Sequence, residues 1–259
     1  IFINNKKEIY KYSNMLSIIQ DENFKSKKLL SIQKGLVSSN INCKNEMKKL
    51  KNIISWLGDS TSNAYYLIVN VLFMSDIFIL SNLEEWKVKN GYKVRKWLND
   101  MGEIEALISL STIAFEHDEW TYPTISGVNE IEAIELAHPL LGEKAKSNNF
   151  TLKGSEKVAL ITGSNMSGKS TFLRTIGFNM ILTYLGLPTF SKGFKCGISN
   201  IYTCMRTQDN LEENISSFYA EILRIKLVIE AAKRGEKVFF LLDEIFKGTN
   251  SKDRHDGAR

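Results

Sequence analysis

Lys157-Val-Ala-Leu-Ile-Thr162 runs directly into Gly163-Ser-Asn-Met-Ser-Gly168-Lys169-Ser170-Thr171. The second stretch fits G-x-x-x-x-G-K-[ST] at every fixed position, the pattern of a phosphate-binding loop. Glycines let the backbone curl until successive N–H groups converge on phosphate oxygens. An apolar-periodic segment (Phe172, Leu173, Ile176, Met180, Ile181) follows and predicts a helix whose positive end faces the same anion. Lys169 supplies a full positive charge for β- and γ-phosphates. The Ser170 hydroxyl is a hard oxygen ligand for Mg²⁺. The apolar run 157–162 predicts a strand leading into the loop.

The second half of a nucleotide site is expected downstream. Val238-Phe-Phe-Leu-Leu242 is a continuous apolar run, the pattern of a strand buried on both faces, and it ends in Asp243-Glu244. Asp243 is expected to bind Mg²⁺ through water. Glu244 is expected to orient or deprotonate the attacking water. Ile201 to Met205 predicts another strand. Ile215, Phe218, Tyr219, Ile222, Ile225 and Ile229 predict an amphipathic helix over 213–234, ended by Gly235. Strands alternating with helices predict an α/β domain with a largely parallel sheet.

The rest of the chain has a different texture. Of 259 residues, 34 are Lys or Arg and 29 Asp or Glu, a net charge of +5. Residues 1–58 carry 11 basic and 4 acidic side chains, so the excess charge sits there. These lysines suit either a solvated helix face or contact with phosphate backbones. Only four of the sixteen glycines precede Gly127, and no proline precedes Pro123. Apolar periodicity predicts helices over 1–50, over 61–91 and around Ile104–Ala114. The boundary is expected near Pro123, giving a helical domain 1–122 and an α/β domain 123–259. Both ends read as cut, and the native protein is expected to continue beyond Arg259.

Three scattered cysteines exclude a disulfide scaffold or a CxxC zinc site and point to a reduced, cytoplasmic setting. Ala64–Leu80 is the most apolar run, but Asn70 and Asp76 within it favour a helix buried among helices over a membrane span. Membrane segments upstream of Ile1 stay open. Trp56, Trp86, Trp97 and Trp120 are expected to anchor the helical core. His117 and His255 are expected at the surface, and His138 to cap or pack.

These motifs resemble the MutS family of DNA-maintenance ATPases, most closely over 138–257. An Asn-Met pair inside the loop (Asn165, Met166) is typical of that family. Asp243-Glu-Ile-Phe-Lys-Gly-Thr-Asn-Ser251 resembles its Asp-Glu-Ile-Gly-Arg-Gly-Thr-Ser-Thr segment. His138-Pro139 resembles the pair that opens its ATPase domain. Residues 209–221 resemble the segment carrying its Ser-Thr-Phe-Met-x-Glu signature. Residues 1–122 resemble its helical core and lever more faintly, and residues 91–120 are similar to short MutS-related bacterial proteins.

The resemblance implies an ABC-class P-loop ATPase domain behind an N-terminal all-α core and lever. It implies a Mg²⁺-dependent ATPase that binds ATP and ADP and works on DNA, in repair or recombination, as a homodimer with composite ATP sites. Gly163, Ser164, Asn165, Met166, Ser167, Gly168, Lys169, Ser170 and Thr171 would hold the phosphates, with Asn148 beside the base. Ser216 would reach the partner's γ-phosphate; read by itself, it is equally an N-cap of the helix it precedes. Ser170 and Asp243 would hold the metal, and Lys169 and Glu244 would be catalytic. The chain departs from the family at Asn214-Ile215, which replace Gly-Arg, and at Ala145, which replaces a purine-stacking aromatic. No segment resembles the mismatch-reading domain, so mismatch recognition is not supported. The alternative is a nucleotide-gated dimeric clamp or scaffold with little direct role for DNA.

Overall fold

The structure, a computed structural model, describes residues 6–38, 41–58, 70–154, 157–164, 166–205 and 217–244. It divides into two units, Ile1–Ser109 and Leu110–Arg259.

The first unit is built from helices α1 (Lys6–Asp21), α2 (Lys27–Leu36), α3 (Cys43–Gly58) and most of α4 (Ser75–Glu116). Two short strands, β1 (Val37–Ser38) and β2 (Ile41–Asn42), pair antiparallel between α2 and α3. Leu16, Ile19, Ile32, Leu36, Met47, Leu50, Ile54, Trp97 and Met101 form one core. Each such side chain contributes roughly 1.5–3 kcal/mol on burial. Polar groups fix how the helices meet. The Gln33 side chain donates to the carbonyls of Ile19, Gln20 and Glu22, where α1 would otherwise leave acceptors unpaired. Trp86 Nε1 donates to the Glu46 carbonyl at 2.8 Å, and Asn90 Nδ2 donates to the Glu46 carboxylate at 3.0 Å.

Two expected helical blocks are here a single one. Gly91 lies inside α4, which runs unbroken for 42 residues to Glu116. Its last turns supply Leu110 and Ile113 to a cluster with Trp120, Leu182, Leu187 and Phe190. This is why the division falls at Ser109, ahead of the proline punctuation that marks 122/123 in the sequence. Trp120 therefore anchors the second unit, stacked between His117 and Phe190. Trp86 and Trp97 belong to the first core, and the Trp56 side chain lies outside the described residues.

The described part of the apolar run 64–80 is not buried as expected; residues 64–69 lie outside the described residues. In that part Val71–Met74 with Ile77, Phe78 and Leu80 are exposed, and only Ile79 is covered. Asn52 and Ile53 of α3 border a cavity with Phe73, Phe78 and Ile79, but this cover leaves most of the apolar side chains at this end open. No described helix is long and apolar enough to cross a membrane.

The second unit is α/β. One sheet has the order β3-β6-β4-β5 (Thr124–Ser126, Gly193–Gly197, Ile131–Leu136, Asn148–Leu152). Only β3 and β6 run parallel; β4 is antiparallel to both its neighbours. The expected largely parallel sheet is thus a mixed one. The reason is local: the link from β4 to β5 is a short 3₁₀ turn, Pro139–Lys144, too short for a parallel crossover. A separate parallel pair joins β7 (Asn200–Cys204) to β8 (Val238–Leu242). Helix α5 (Lys169–Tyr184) follows the phosphate-loop motif, and α6 (Ser217–Lys233) joins β7 to β8. Gly235 ends α6 with a φ of 80°. Residues 213–216 of the expected helix lie outside the described residues.

Residues 157–162 form no strand, and Val158 and Leu160 are exposed. An apolar run holds as a strand only with hydrogen-bonding neighbours along its edges, and none pairs with it among the described residues. For the same reason β8 is covered on one side only, with Leu241 buried and Phe240 exposed.

All three cysteines are free and buried, Cys43 in the first unit and Cys196 and Cys204 in the second. Burial pushes the Cys43 thiol up to about 12, with Asp100 adding to it, and the Cys196 thiol up to about 11.

Two predictions test this packing. A Cβ on Gly197 would stand 2.2 Å from the Val128 carbonyl oxygen, whereas one on Gly102, inside α4, would meet nothing within 4 Å. Gly197→Ala should therefore lose about 1–3 kcal/mol by overpacking. Gly102→Ala should gain roughly 0.5–1 kcal/mol from helix propensity, both read by denaturant titration. The second concerns Glu46. Burial pushes its carboxyl up, but hydrogen bonds from Lys49 and Asn90, the Lys49 charge and Lys89 outweigh this and hold it below the ordinary carboxylate range. A depressed folded pKa stabilises above the unfolded value and stops doing so as pH falls through the folded one. The stability advantage of wild type over Glu46→Gln should shrink on acidification below about pH 4, and an advantage that stays constant to pH 2 would contradict the assignment.

Candidate functional site

The glycine motif forms a loop that its own residues hold closed. Ser167 N donates to the Ser164 carbonyl. The Ser167 side chain folds over Gly163, and a Cβ there would lie 2.9 Å from Ser167 Oγ. Met166 (φ 64°) and Gly168 (φ 90°) both adopt left-handed backbone, which reverses the chain twice within three residues. Asn165, the remaining loop residue, lies outside the described residues.

Gly168 is the N-cap of α5. It has no side chain with which to satisfy the first N–H groups of the helix. Lys169, Ser170 and Thr171 therefore start α5 with donors that the helix itself does not use. Together with the helix dipole, this favours an anion at that end. Lys169 Nζ donates to the carbonyls of Gly163 (2.9 Å) and Ser164 (2.7 Å). Its ammonium thus lies across the loop mouth rather than out in solvent. The first backbone bond of α5 runs from Phe172 N to the Gly168 carbonyl, and Thr175 Oγ1 donates to the Thr171 carbonyl one turn on.

α5 lies against β8. Gly177 faces Leu241, whose Cδ1 stands 2.9 Å from where a Cβ would be. Two residues beyond Leu241, Asp243 N donates to the Cys204 carbonyl, which extends the β7/β8 ladder by one step. Glu244 follows in left-handed backbone with a φ of 48°, uncommon for a residue with a side chain. The chain turns sharply as it leaves the strand, and the Glu244 side chain is exposed.

Among the described residues no three His, Cys, Asp or Glu side chains gather to hold a metal. Mg²⁺ does not need such a cage: it keeps several waters and takes one or two protein oxygens beside phosphate oxygens. Ser170 and Asp243 offer such a donor set: one hydroxyl and one carboxylate.

Asn148 opens β5 and is exposed, its Nδ2 donating to the Lys146 carbonyl. Ala145 ends the preceding 3₁₀ turn. His138 caps that turn: its Nδ1 accepts from Leu140 N at 3.2 Å, and its ring tilts against Phe178 of α5. Burial, helped by the Arg174 charge, pushes its pKa down. His138 is thus a neutral cap, as its place beside Pro139 suggests. Ser216 and residues 245–251 lie outside the described residues.

Asn179 was not singled out in the sequence. Fully buried, it accepts from Phe190 N and donates to the carbonyls of Ala137 and Thr175. One amide thereby ties α5 to the end of β4 and to the segment before β6. With Thr175 and Thr183 it forms a polar i, i+4 row along a helix that otherwise buries Ile176, Met180 and Leu182, and that row is the sequence signal that could have found it.

Residues 159–258 match the family described as MutS domain V. The DNA mismatch repair protein MutS of Persephonella marina is 33% identical over 165 residues, 62% of this chain and 19% of its own length. The Endonuclease MutS2 of Carboxydothermus hydrogenoformans is 29% identical over 178 residues, 68% of this chain and 22% of its own length. The MutS protein homolog 5 of Caenorhabditis elegans is 30% identical over 184 residues, 69% of this chain and 13% of its own length. The chain spans about a fifth of the length of the first two of these relatives. The phosphate-loop motif at the start of α5 and the two acids that end β8 both fall within the matched residues, and these matches support membership of the MutS family.

Proposed function

We infer that this chain carries the nucleotide site of a Mg²⁺-dependent ATPase with a P-loop fold, one that uses ATP binding and hydrolysis to switch a homodimer acting on DNA in repair or recombination. The observation that carries this reading is the start of α5: a glycine-capped helix end, with a closed loop in front and a lysine across its mouth.

In this reading the backbone of Gly163–Thr171 cradles the phosphates, and Lys169 exchanges its two carbonyl acceptors for β- and γ-phosphate oxygens. Ser170, and Asp243 through water, would hold the metal, which would supply charge neutralisation on those phosphates. Glu244 sits on the turn after β8 and orients or deprotonates the attacking water. Asn148 borders the base. Ser216 of one subunit reaches the γ-phosphate bound by the other, so that ATP favours the closed dimer and hydrolysis releases it. The DNA role is supported by the relatives' names, which include DNA mismatch repair proteins. The reading places the protein in the cytoplasm.

Lys169→Ala removes a full charge from the γ-phosphate. It should slow phosphate release from ATP by about 10²-fold or more, the scale of losing one preorganised transition-state donor. Unchanged turnover in that variant would remove Lys169 from the mechanism. Glu244→Gln should keep ATP binding, lose roughly 10²–10⁴ in hydrolysis and accumulate an ATP-bound dimer in light scattering. A variant that stays monomeric with ATP while binding it would argue against composite sites and for a nucleotide-gated scaffold.

A further inference from the structure

The basic excess of residues 1–58 is not spread evenly over the first unit. Lys44–Asp21 and the Lys51–Tyr10 contact show that α1 and α3 pack antiparallel. At 100° per residue, Lys44, Lys48 and Lys51 fall within one narrow arc of α3. Lys6 and Tyr10 fall within one such arc of α1. Each arc borders its helix's buried stripe: Met47, Leu50 and Ile54 on α3, and Leu16 and Ile19 on α1. The two rows therefore flank one edge of the seam between the helices. They meet at Tyr10, whose ring centroid lies 5.8 Å from Lys6 Nζ and 5.1 Å from Lys51 Nζ.

One acid, Asp21, sits at the Lys44 end of this edge and neutralises that lysine; the other acids of the segment are engaged away from it. Glu8 pairs with Lys11, Asp21 with Lys44, and the buried Glu46 with Lys49 and Lys89. Glu22 accepts from the neighbouring Asn23 N. Among the described residues no carboxylate pairs with Lys6, Lys48 or Lys51. Two ammonium groups from different helices thus share one aromatic ring without an anion between them. That arrangement repels itself in the free protein and is relieved by an external polyanion.

We propose that this lysine edge of α1 and α3, formed by Lys6, Lys48 and Lys51 around Tyr10, is a docking surface for the phosphate backbone of duplex DNA. The proposal rests on the DNA reading above and names the surface that serves it. The chemistry favours backbone contact over base reading. Lysines are point charges that track phosphates without sequence preference, and residues 1–58 carry no arginine to read base edges bidentately. An anionic membrane is the poorer fit, because Tyr10 is half-buried and its ring is already engaged by the two ammonium groups.

The test uses the whole chain and fluorescent duplexes of two unrelated sequences, with affinity followed from 50 to 200 mM salt. Each phosphate contact contributes roughly 0.9 to the slope of log affinity against log salt. The triple variant Lys6→Gln, Lys48→Gln, Lys51→Gln should lower that slope by about 2–3, equally for both sequences. Lys48→Gln alone, at a fully exposed position, should lower it by about 1. A charge-matched control at Lys87, Lys226 and Lys233 should leave it within about 0.5 of wild type. Wild-type binding with a slope that the triple variant leaves unchanged, or that the control lowers equally, would overturn the surface while sparing the DNA reading. A wild-type chain that binds phosphatidylserine vesicles but neither duplex would overturn both.

Discussion

Gly177 sets how closely α5 and β8 of the second unit approach each other. With a hydrogen in place of a side chain, it lets Leu241 of β8 come against the α5 backbone. Glycine inside a helix costs about 1 kcal/mol relative to alanine, so the close contact has to offset that loss. Ser170 lies two turns before Gly177 on the helix, and Asp243 lies two residues after Leu241 on the strand. Any slip of α5 along β8 would shift the helix start relative to the strand end. The loop at the helix start is closed by its own hydrogen bonds; its placement relative to the strand end depends on this contact.

Asn179 supports the same helix from within. Its three hydrogen bonds join segments far apart in sequence, and each contributes about 1 kcal/mol when satisfied. The larger effect is the penalty for losing one, since a buried amide left unpaired costs about 1–3 kcal/mol. The arrangement resists partial opening of α5.

Local patterns were legible in the sequence and distant pairings were not. The phosphate loop, the helix after it, β8 and the end of α6 at Gly235 follow from spacing, glycine conformation and apolar runs, all set by near neighbours. The direction of β4 does not, because strand pairing depends on how short the Pro139–Lys144 connection proves to be. Gly91 looked like a break but lies inside α4, where neighbouring turns outweigh one poor helix former. The run 157–162 has strand composition without strand partners. Within the candidate site, the motif and the two acids could be picked out by residue type, while the Lys169 contacts with Gly163 and Ser164 and the left-handed backbone at Met166 and Glu244 became visible only in three dimensions.

The buried cysteines bear on how the molecule can be observed. Thiol reagents attack the thiolate, and groups pushed up to about 11 and 12 present less than about one part in a thousand of it at pH 7. Cys43 reports on one unit, and Cys196 and Cys204 on the other. Alkylation in the native state then proceeds only through transient opening of the surrounding core. The chain thus carries an intrinsic clock for the breathing of each half, readable by mass spectrometry without an added label.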